Sequence, residues 1–224
     1  MAIIRFITTI FCIVLIGNGC WRQNKDGGTS SQKKNDGTDE ETPQQIAKRA
    51  LQSVVIIYMS NSQGSGFFVR DGIVVTNFHV VKGSTEGIIK SLETKQEFPI
   101  LNIIVEDEEN DLALLKIAEG YHTVLPFGDV TKIQRGDKVY ALGNPQGLEG
   151  TFSEGSVSAE DRVIKNKHLI QYTAPISGGS SGGPILNTKG EVIGVTKSSI
   201  DEGQNLNFAI PISKVQELLN RIPQ

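Results

Sequence analysis

Cysteine is nearly missing from this sequence. The 224 residues contain two, Cys12 and Cys20, both in the first twenty positions, so no disulfide framework can hold the remainder together. Histidine is scarce as well. His79, His122 and His168 stand far apart, and without a Cys/His cluster there is little material for a structural zinc or a multi-histidine metal centre. Charge of one sign is not in excess: 22 basic residues against 25 acidic ones leave a net charge of −3, which argues against a broad nucleic-acid-binding surface. No fixed-period repeat is present. Glycine, by contrast, is plentiful at 24 residues, which suits a turn-rich chain of short strands better than a helical one.

The chain divides into three parts. In residues 1–20 Arg5 is the only charged side chain, Phe6 to Ile16 is apolar apart from two threonines, and the run ends in Gly17-Asn18-Gly19-Cys20. The apolar stretch has the length of a signal-peptide core and is short for a bilayer span. Its ending resembles a bacterial lipoprotein signal, in which cleavage precedes a cysteine that carries diacylglycerol; Cys20 is then the lipidation site. An ordinary secretory signal and an uncleaved anchor are the alternatives. Residues 21–41 mix four positive and five negative charges with Gly, Ser, Thr and Asn around a single large apolar residue, Trp21. Such a segment buries too little to offset its ordering entropy and reads as a disordered polar linker. Residues 42–224 carry the folded domain.

That domain opens with Thr42-Pro43-Gln44-Gln45, a capping-box pattern with proline at the first helical position. Short β-like runs follow at 54–59, 65–70, 73–77, 86–92, 98–105, 111–117, 137–142, 152–162, 168–174, 183–187, 190–199 and 206–210, many separated by turn residues such as Asp71-Gly72 and Lys189-Gly190. A closing helix is expected from Ile212, Val215, Leu218 and Leu219 on one face, with Ser213 and Gln216 as its capping box. Many short strands in one domain predict an all-β sandwich or barrels.

The chemistry concentrates in Gly178-Gly179-Ser180-Ser181-Gly182-Gly183-Pro184. A nucleophilic serine needs a tight turn and backbone N–H groups converging on an oxyanion, and glycines permit both. Serine also needs a base. His79 closes the apolar run Val74-Val75-Thr76-Asn77-Phe78, and Asp111 abuts the apolar run 112–115, where a charge calls for a reason. The order His79, Asp111, Ser181 is that of chymotrypsin and differs from those of subtilisin and the α/β-hydrolases. His122 and His168 are read as surface residues.

Seven stretches in order carry a resemblance: Gly64-Ser65-Gly66-Phe67-Phe68-Val69, Thr76-Asn77-Phe78-His79-Val80-Val81, Asp111-Leu112-Ala113-Leu114-Leu115-Lys116, Gly143-Asn144-Pro145-Gln146-Gly147, Gly155-Ser156-Val157-Ser158-Ala159, Gly179-Ser180-Ser181-Gly182-Gly183-Pro184 and Asn207-Phe208-Ala209-Ile210-Pro211. Residues 42–224 resemble the trypsin-like serine proteases of the HtrA/Deg type. The resemblance implies two six-stranded antiparallel β-barrels with short terminal helices, a catalytic triad of His79, Asp111 and Ser181, and an oxyanion hole made by the N–H groups of Gly179 and Ser181. It implies no cofactor and no metal. Strand 194–198 would pair with an extended polypeptide substrate, with Thr196 and Lys197 facing it or solvent. The first specificity pocket would have Pro175 and Ile176 at its floor and Val195 on its wall, apolar and suited to Val, Ala or Ile.

Two departures stand out. Ser180 occupies the position where HtrA proteins carry Asn and digestive relatives Asp. The protease domain is expected to stand without a PDZ domain after its last helix. The expected protein is a serine endopeptidase acting on unfolded or damaged envelope proteins, exported and lipid-anchored to a bacterial membrane. A non-catalytic polypeptide-binding lipoprotein and a dedicated processing protease are the competing readings. Nucleic acid is not an expected partner, and the oligomeric state, a trimer included, stays open.

Overall fold

A computed structural model describes residues 41–120, 122–144, 150–197 and 206–222. Cys20, the expected signal, nearly all of the expected linker and Ser198 lie outside the described residues.

The chain opens with helix α1 (Pro43–Leu51), where the expected capping box forms: Gln45 N–H donates to Thr42 Oγ1 at 3.3 Å and Thr42 N–H to Gln45 Oε1 at 2.8 Å. Strands β1 (Val54–Met59), β2 (Gln63–Arg70) and β3 (Ile73–Thr76) lead to the four-residue helix α2 (Phe78–Val81), then β4 (Gly87–Ser91), β5 (Glu97–Pro99), β6 (Asn102–Asp107) and β7 (Leu112–Lys116). These strands form one antiparallel sheet in the order β5-β4-β1-β2-β3-β7-β6. A 3₁₀ turn (Val130–Lys132) leads on to β8 (Lys138–Gly143), β9 (Thr151–Ile164), β10 (Lys167–Tyr172), β11 (Pro184–Leu186), β12 (Val192–Lys197), β13 (Asn207–Pro211) and helix α3 (Ile212–Leu219). Strands β8 to β13 close into a six-stranded barrel in the order β10-β13-β12-β11-β8-β9.

The expectation of two six-stranded barrels is therefore corrected in its first half. The N-terminal half is a curled seven-strand sheet, because the run expected as one strand at 98–105 is two. Pro99 cannot donate to a ladder, and the chain crosses there from one end of the sheet to the other: Ile100 N–H bonds Gly87 on β4, and Leu101 N–H bonds the Lys116 carbonyl on β7. The helix at the C-terminus also starts differently. Pro211 still pairs with Gly194 in the barrel, so α3 begins at once behind it, Ser213 falls inside the first turn, and no side chain caps the end.

The solidly apolar strands feed cores on both faces. Along β1, Val54 and Ile56 join a cluster that also holds Leu142, Val195 and Ile210 of the barrel and the buried face of α3, whereas Val55 and Ile57 join a cluster confined to the N-terminal half, with Val80 and Val81 of α2. Residues Val139, Val157, Ile170, Tyr172 and Ile193 fill the C-terminal barrel. Side chains alternate along a strand, so a one-residue slip would exchange the two sets, and the shared cluster ties the two halves together.

Candidate active site

The elements around Ser65 and His79 bring three distant parts of the chain together. Strand β3 ends at Thr76, Asn77 turns the backbone, and α2 presents His79, whose side chain is 44% exposed. Asp111 sits in the turn before β7 with a positive φ of 57°, a conformation that short polar side chains tolerate. Asn77 Nδ2–H donates to its carbonyl at 3.0 Å, and Asp107 secures the same turn by accepting from the Asn110 N–H at 2.8 Å. The Asp111 carboxylate accepts from the His79 backbone N–H at 3.0 Å and lies 3.0 Å from His79 Nδ1 through both oxygens. Two of the three expected catalytic residues are thus in contact, in an arrangement that fixes the imidazole ring.

Ser181 belongs to the loop before β11 and is buried. Its carbonyl accepts from Ser65 N–H on β2 at 2.8 Å, and Gly64 packs between that carbonyl and the Val80 side chain, next to His79. The Ser181 turn is therefore docked on the strands that run into α2. Gly182 has φ +89°, and a Cβ there would stand 2.1 Å from the Ser65 carbonyl oxygen, so only glycine fits. Gly179 likewise has φ +95°.

Lys197, expected to face substrate or solvent, has another partner. Its amine lies 2.5 Å from Asp111 Oδ2, with 20% of the side chain exposed. Asp111 is pulled two ways. Burial alone would raise its pKa, but the hydrogen bonds from His79 and Lys197 outweigh that and hold it down at about 2. An open trough of about 370 Å³ beside this pair is lined by Phe78, His79, Lys82, Glu108, Asp111, Lys167 and Lys197. Lys82 is paired there with Glu108 at 2.7 Å.

The other expected substrate residues are placed unevenly. Pro175 and Ile176 line a small cavity of about 10 Å³ together with Leu142, Gly143, Thr151 and Ser180. Val195 does not reach it and packs in the shared core instead, so its place on the pocket wall is corrected. Thr196 is buried; its hydroxyl takes a long contact of 3.4 Å from Tyr172, its carbonyl accepts from Gly182 N–H, and its N–H donates to Gly183. Strand β12 runs between β11 and β13, and residues 194 and 195 are paired on both sides. An added strand could find an open edge only from Lys197 onward, which narrows the expected 194–198 binding strand to its last part. His122 is also corrected: it is no surface residue, for its ring stacks on Phe68 at a centroid distance of 4.2 Å and its Nδ1 lies 2.8 Å from Asp71. His168 is exposed on its hairpin, 2.9 Å from Asp161.

Comparison with known proteins follows the same lines. Residues 64–195 match the model of the trypsin-like peptidase domain. Over 170 residues the chain is 35% identical to a probable periplasmic serine endoprotease, DegP-like, of Hahella chejuensis, covering 73% of this chain and 36% of that one. It is 36% identical to the putative serine protease HhoA of Synechocystis over 170 residues, covering 71% of this chain and 43% of the relative. The chain belongs to the trypsin-like peptidase domain family. Among solved structures, the serine endoprotease from Yersinia pestis superposes with a TM-score of 0.72 at 29% identity, covering 81% of this chain and 66% of that one. The HtrA-type protease AlgW with a tripeptide gives 0.74 at 29% identity, covering 80% and 63%. The chain spans roughly two fifths of the curated relatives it matches, 36% of one and 43% of the other.

The depressed Asp111 pKa makes a pH prediction. A carboxylate held at about 2 when folded, against about 3.9 when unfolded, contributes stability that is fully present above the unfolded value and lost as pH falls through the folded one. Lys197→Met removes one of the two side chains holding it down. Urea titrations should find the variant less stable at pH 6, with the gap to the parent narrowing between about pH 4 and pH 2. A gap constant across that window would mean that Lys197 does not act through the Asp111 charge.

Proposed function

We propose that this protein is a serine endopeptidase using His79, Asp111 and Ser181. The observation that carries the reading is the His79–Asp111 pair, at 3.0 Å, beside a glycine-rich serine loop docked on the strands that lead to it. His79 accepts the Ser181 hydroxyl proton as the serine oxygen attacks the substrate carbonyl carbon. The resulting oxyanion is held by the N–H groups of Gly179 and Ser181. His79 then passes the proton to the leaving amine, and water repeats the sequence on the acyl-enzyme. Asp111 keeps Nδ1 protonated and supports the imidazolium, without itself taking a proton.

The substrate class follows by analogy. One relative carries the name of a probable periplasmic serine endoprotease, and one solved neighbour is described with a tripeptide. We assign this chain to unfolded or damaged polypeptides of a bacterial envelope, with Cys20 as a lipid anchor and residues 21–41 as tether. At roughly 5–6 Å times the square root of its length, such a tether has a root-mean-square reach of about 25 Å, which favours membrane-proximal substrates. A non-catalytic polypeptide binder would have no need of the His79–Asp111 pairing.

Three measurements test this reading. On casein, Ser181→Ala should lower turnover by at least roughly 10³, leaving only binding and the oxyanion donors, while Ser180→Ala should do far less; equal losses would defeat the assignment. Cleavage-site mapping should find Val, Ala or Ile before the cut, because the Pro175–Ile176 cavity offers a cation no partner; mainly Lys or Arg sites would overturn that. Intact mass of the exported chain should show diacylglycerol on Cys20, and a mature terminus elsewhere without lipid would make it an ordinary secreted protein.

A further inference from the structure

Ser65 engages every polar group it has. It is fully buried in β2, on the N-terminal sheet. Its hydroxyl donates to the Gly179 carbonyl at 2.7 Å, 114 positions away, and accepts from Asn144 N–H at 3.0 Å. Its N–H donates to the Ser181 carbonyl and its carbonyl accepts from Thr76 Oγ1, both at 2.8 Å. A serine that merely filled space would not reach both sides of the nucleophile.

The bonds inside that loop show what the hydroxyl controls. Ser180 N–H donates to the Ser177 carbonyl, Gly183 N–H to the Ser180 carbonyl and Gly182 N–H to Thr196. With the two bonds from Ser65, the peptide units 179–180, 180–181 and 181–182 are all held. The unit 178–179 makes no hydrogen bond among the described residues, and a Cβ on Gly178 would meet nothing within 4 Å. Its direction, and so the aim of the Gly179 N–H, is set through the next residue in the chain. That residue is a glycine at φ +95°, free to rotate on its own account. The Ser65 hydroxyl is what grips its carbonyl.

We propose that Ser65 is a positioning residue: from the N-terminal sheet its hydroxyl aims the Gly179 N–H that receives the oxyanion. The inference rests on the proteolytic reading above and adds a cross-sheet residue to it. Its consequence is a division of labour. The nucleophile loop belongs to the C-terminal barrel, but its reactive geometry is imposed by β2. Losing the hydroxyl leaves the Ser65 N–H bond to Ser181 in place, so the nucleophile stays seated, while the 179–180 peptide loses its only tie to β2 and keeps just the Ser180 N–H bond to Ser177 inside its own loop.

The test compares Ser65→Ala and Ser65→Cys with the parent chain, on a chromogenic peptide and by fluorophosphonate labelling. Rates are expressed per Ser181 site that finally takes label, so that unfolded protein does not count. The thiol of the Cys variant is a weak donor of similar shape, and its packing stays close to the parent's. Both variants should lose about 10- to 100-fold in kcat, somewhat less than removal of an oxyanion donor outright, with KM within about 3-fold because the ground-state carbonyl gains little from these donors. Labelling rates should fall in parallel. Rates within 2-fold of the parent in both variants, or a loss carried by KM alone, would overturn the inference. A parent chain that takes no label at Ser181 refutes the proteolytic reading and this inference with it; a labelled parent with unchanged variants refutes this inference only.

Discussion

Backbone lies against backbone where the Ser181 turn meets β2, and the rest of the site depends on that contact. A Cβ on Gly182 would fall 2.1 Å from the Ser65 carbonyl oxygen, a separation no side chain could occupy. The strand and the turn can approach this far only because each presents bare main chain to the other, at Gly64 and Gly182. Once they do, hydrogen bonds from Ser65 reach both sides of the serine, and Thr76, on the strand that continues into His79, closes the same network by bonding the Ser65 carbonyl. The distance from serine loop to histidine helix is thereby set by main-chain packing rather than by long side chains with several rotamers. Such a site loses little entropy when it reacts, because few torsions remain to be fixed.

The electrostatic side of the site has a comparable economy. Asp111 is a buried anion with a histidine and a lysine on its carboxylate and an amide on its own carbonyl. Its positive φ presses the carboxylate towards α2, where it meets both the His79 ring and the His79 backbone N–H. A buried charge with several hydrogen-bonding partners avoids most of the desolvation cost that an unpaired one would carry. Lys197 supplies part of that compensation from the other half of the molecule, so the pair of halves is joined by charge as well as by apolar packing.

Much of this was legible in the sequence, and what was not has physical reasons. Local signals were read well: the Thr42–Gln45 box, the Asp71-Gly72 turn and most strand positions depend on neighbours a few residues away. The His79–Asp111 approach is legible less from either residue alone than from the order His79, Asp111, Ser181 with a glycine-rich serine loop, within stretches that resemble one family. Long-range choices were not readable. Nothing near Lys197 in the chain says that its amine will meet Asp111, 86 positions earlier, and nothing near Val195 says which face of a doubly covered strand it takes. The break within 98–105 is hidden for a subtler reason: its two halves serve opposite ends of one sheet. The packing of His122 is not legible from its neighbours in the chain, because its aromatic partners Phe68 and Phe98 come from other strands. The Gly64-Ser65-Gly66 stretch is visible in the sequence as a pattern, but the reach of its hydroxyl across the two halves is a property of the folded chain alone.

The crossing at Ile100 and Leu101 has a further consequence for how the protein behaves in a crowded compartment. An open sheet ordinarily offers two rows of unpaired N–H and C=O groups to any neighbouring chain. Here the outermost strand at one end is only three residues long and ends in Pro99, while the strand at the other end is bulged between Ile103 and Val105. Consecutive residues of the crossing then bond to β4 and to β7. Neither margin is left long, flat and vacant, so the curled half guards itself against edge-to-edge aggregation without having to close its ladder. An extended polypeptide segment seeking a partner strand therefore finds little to join at this margin.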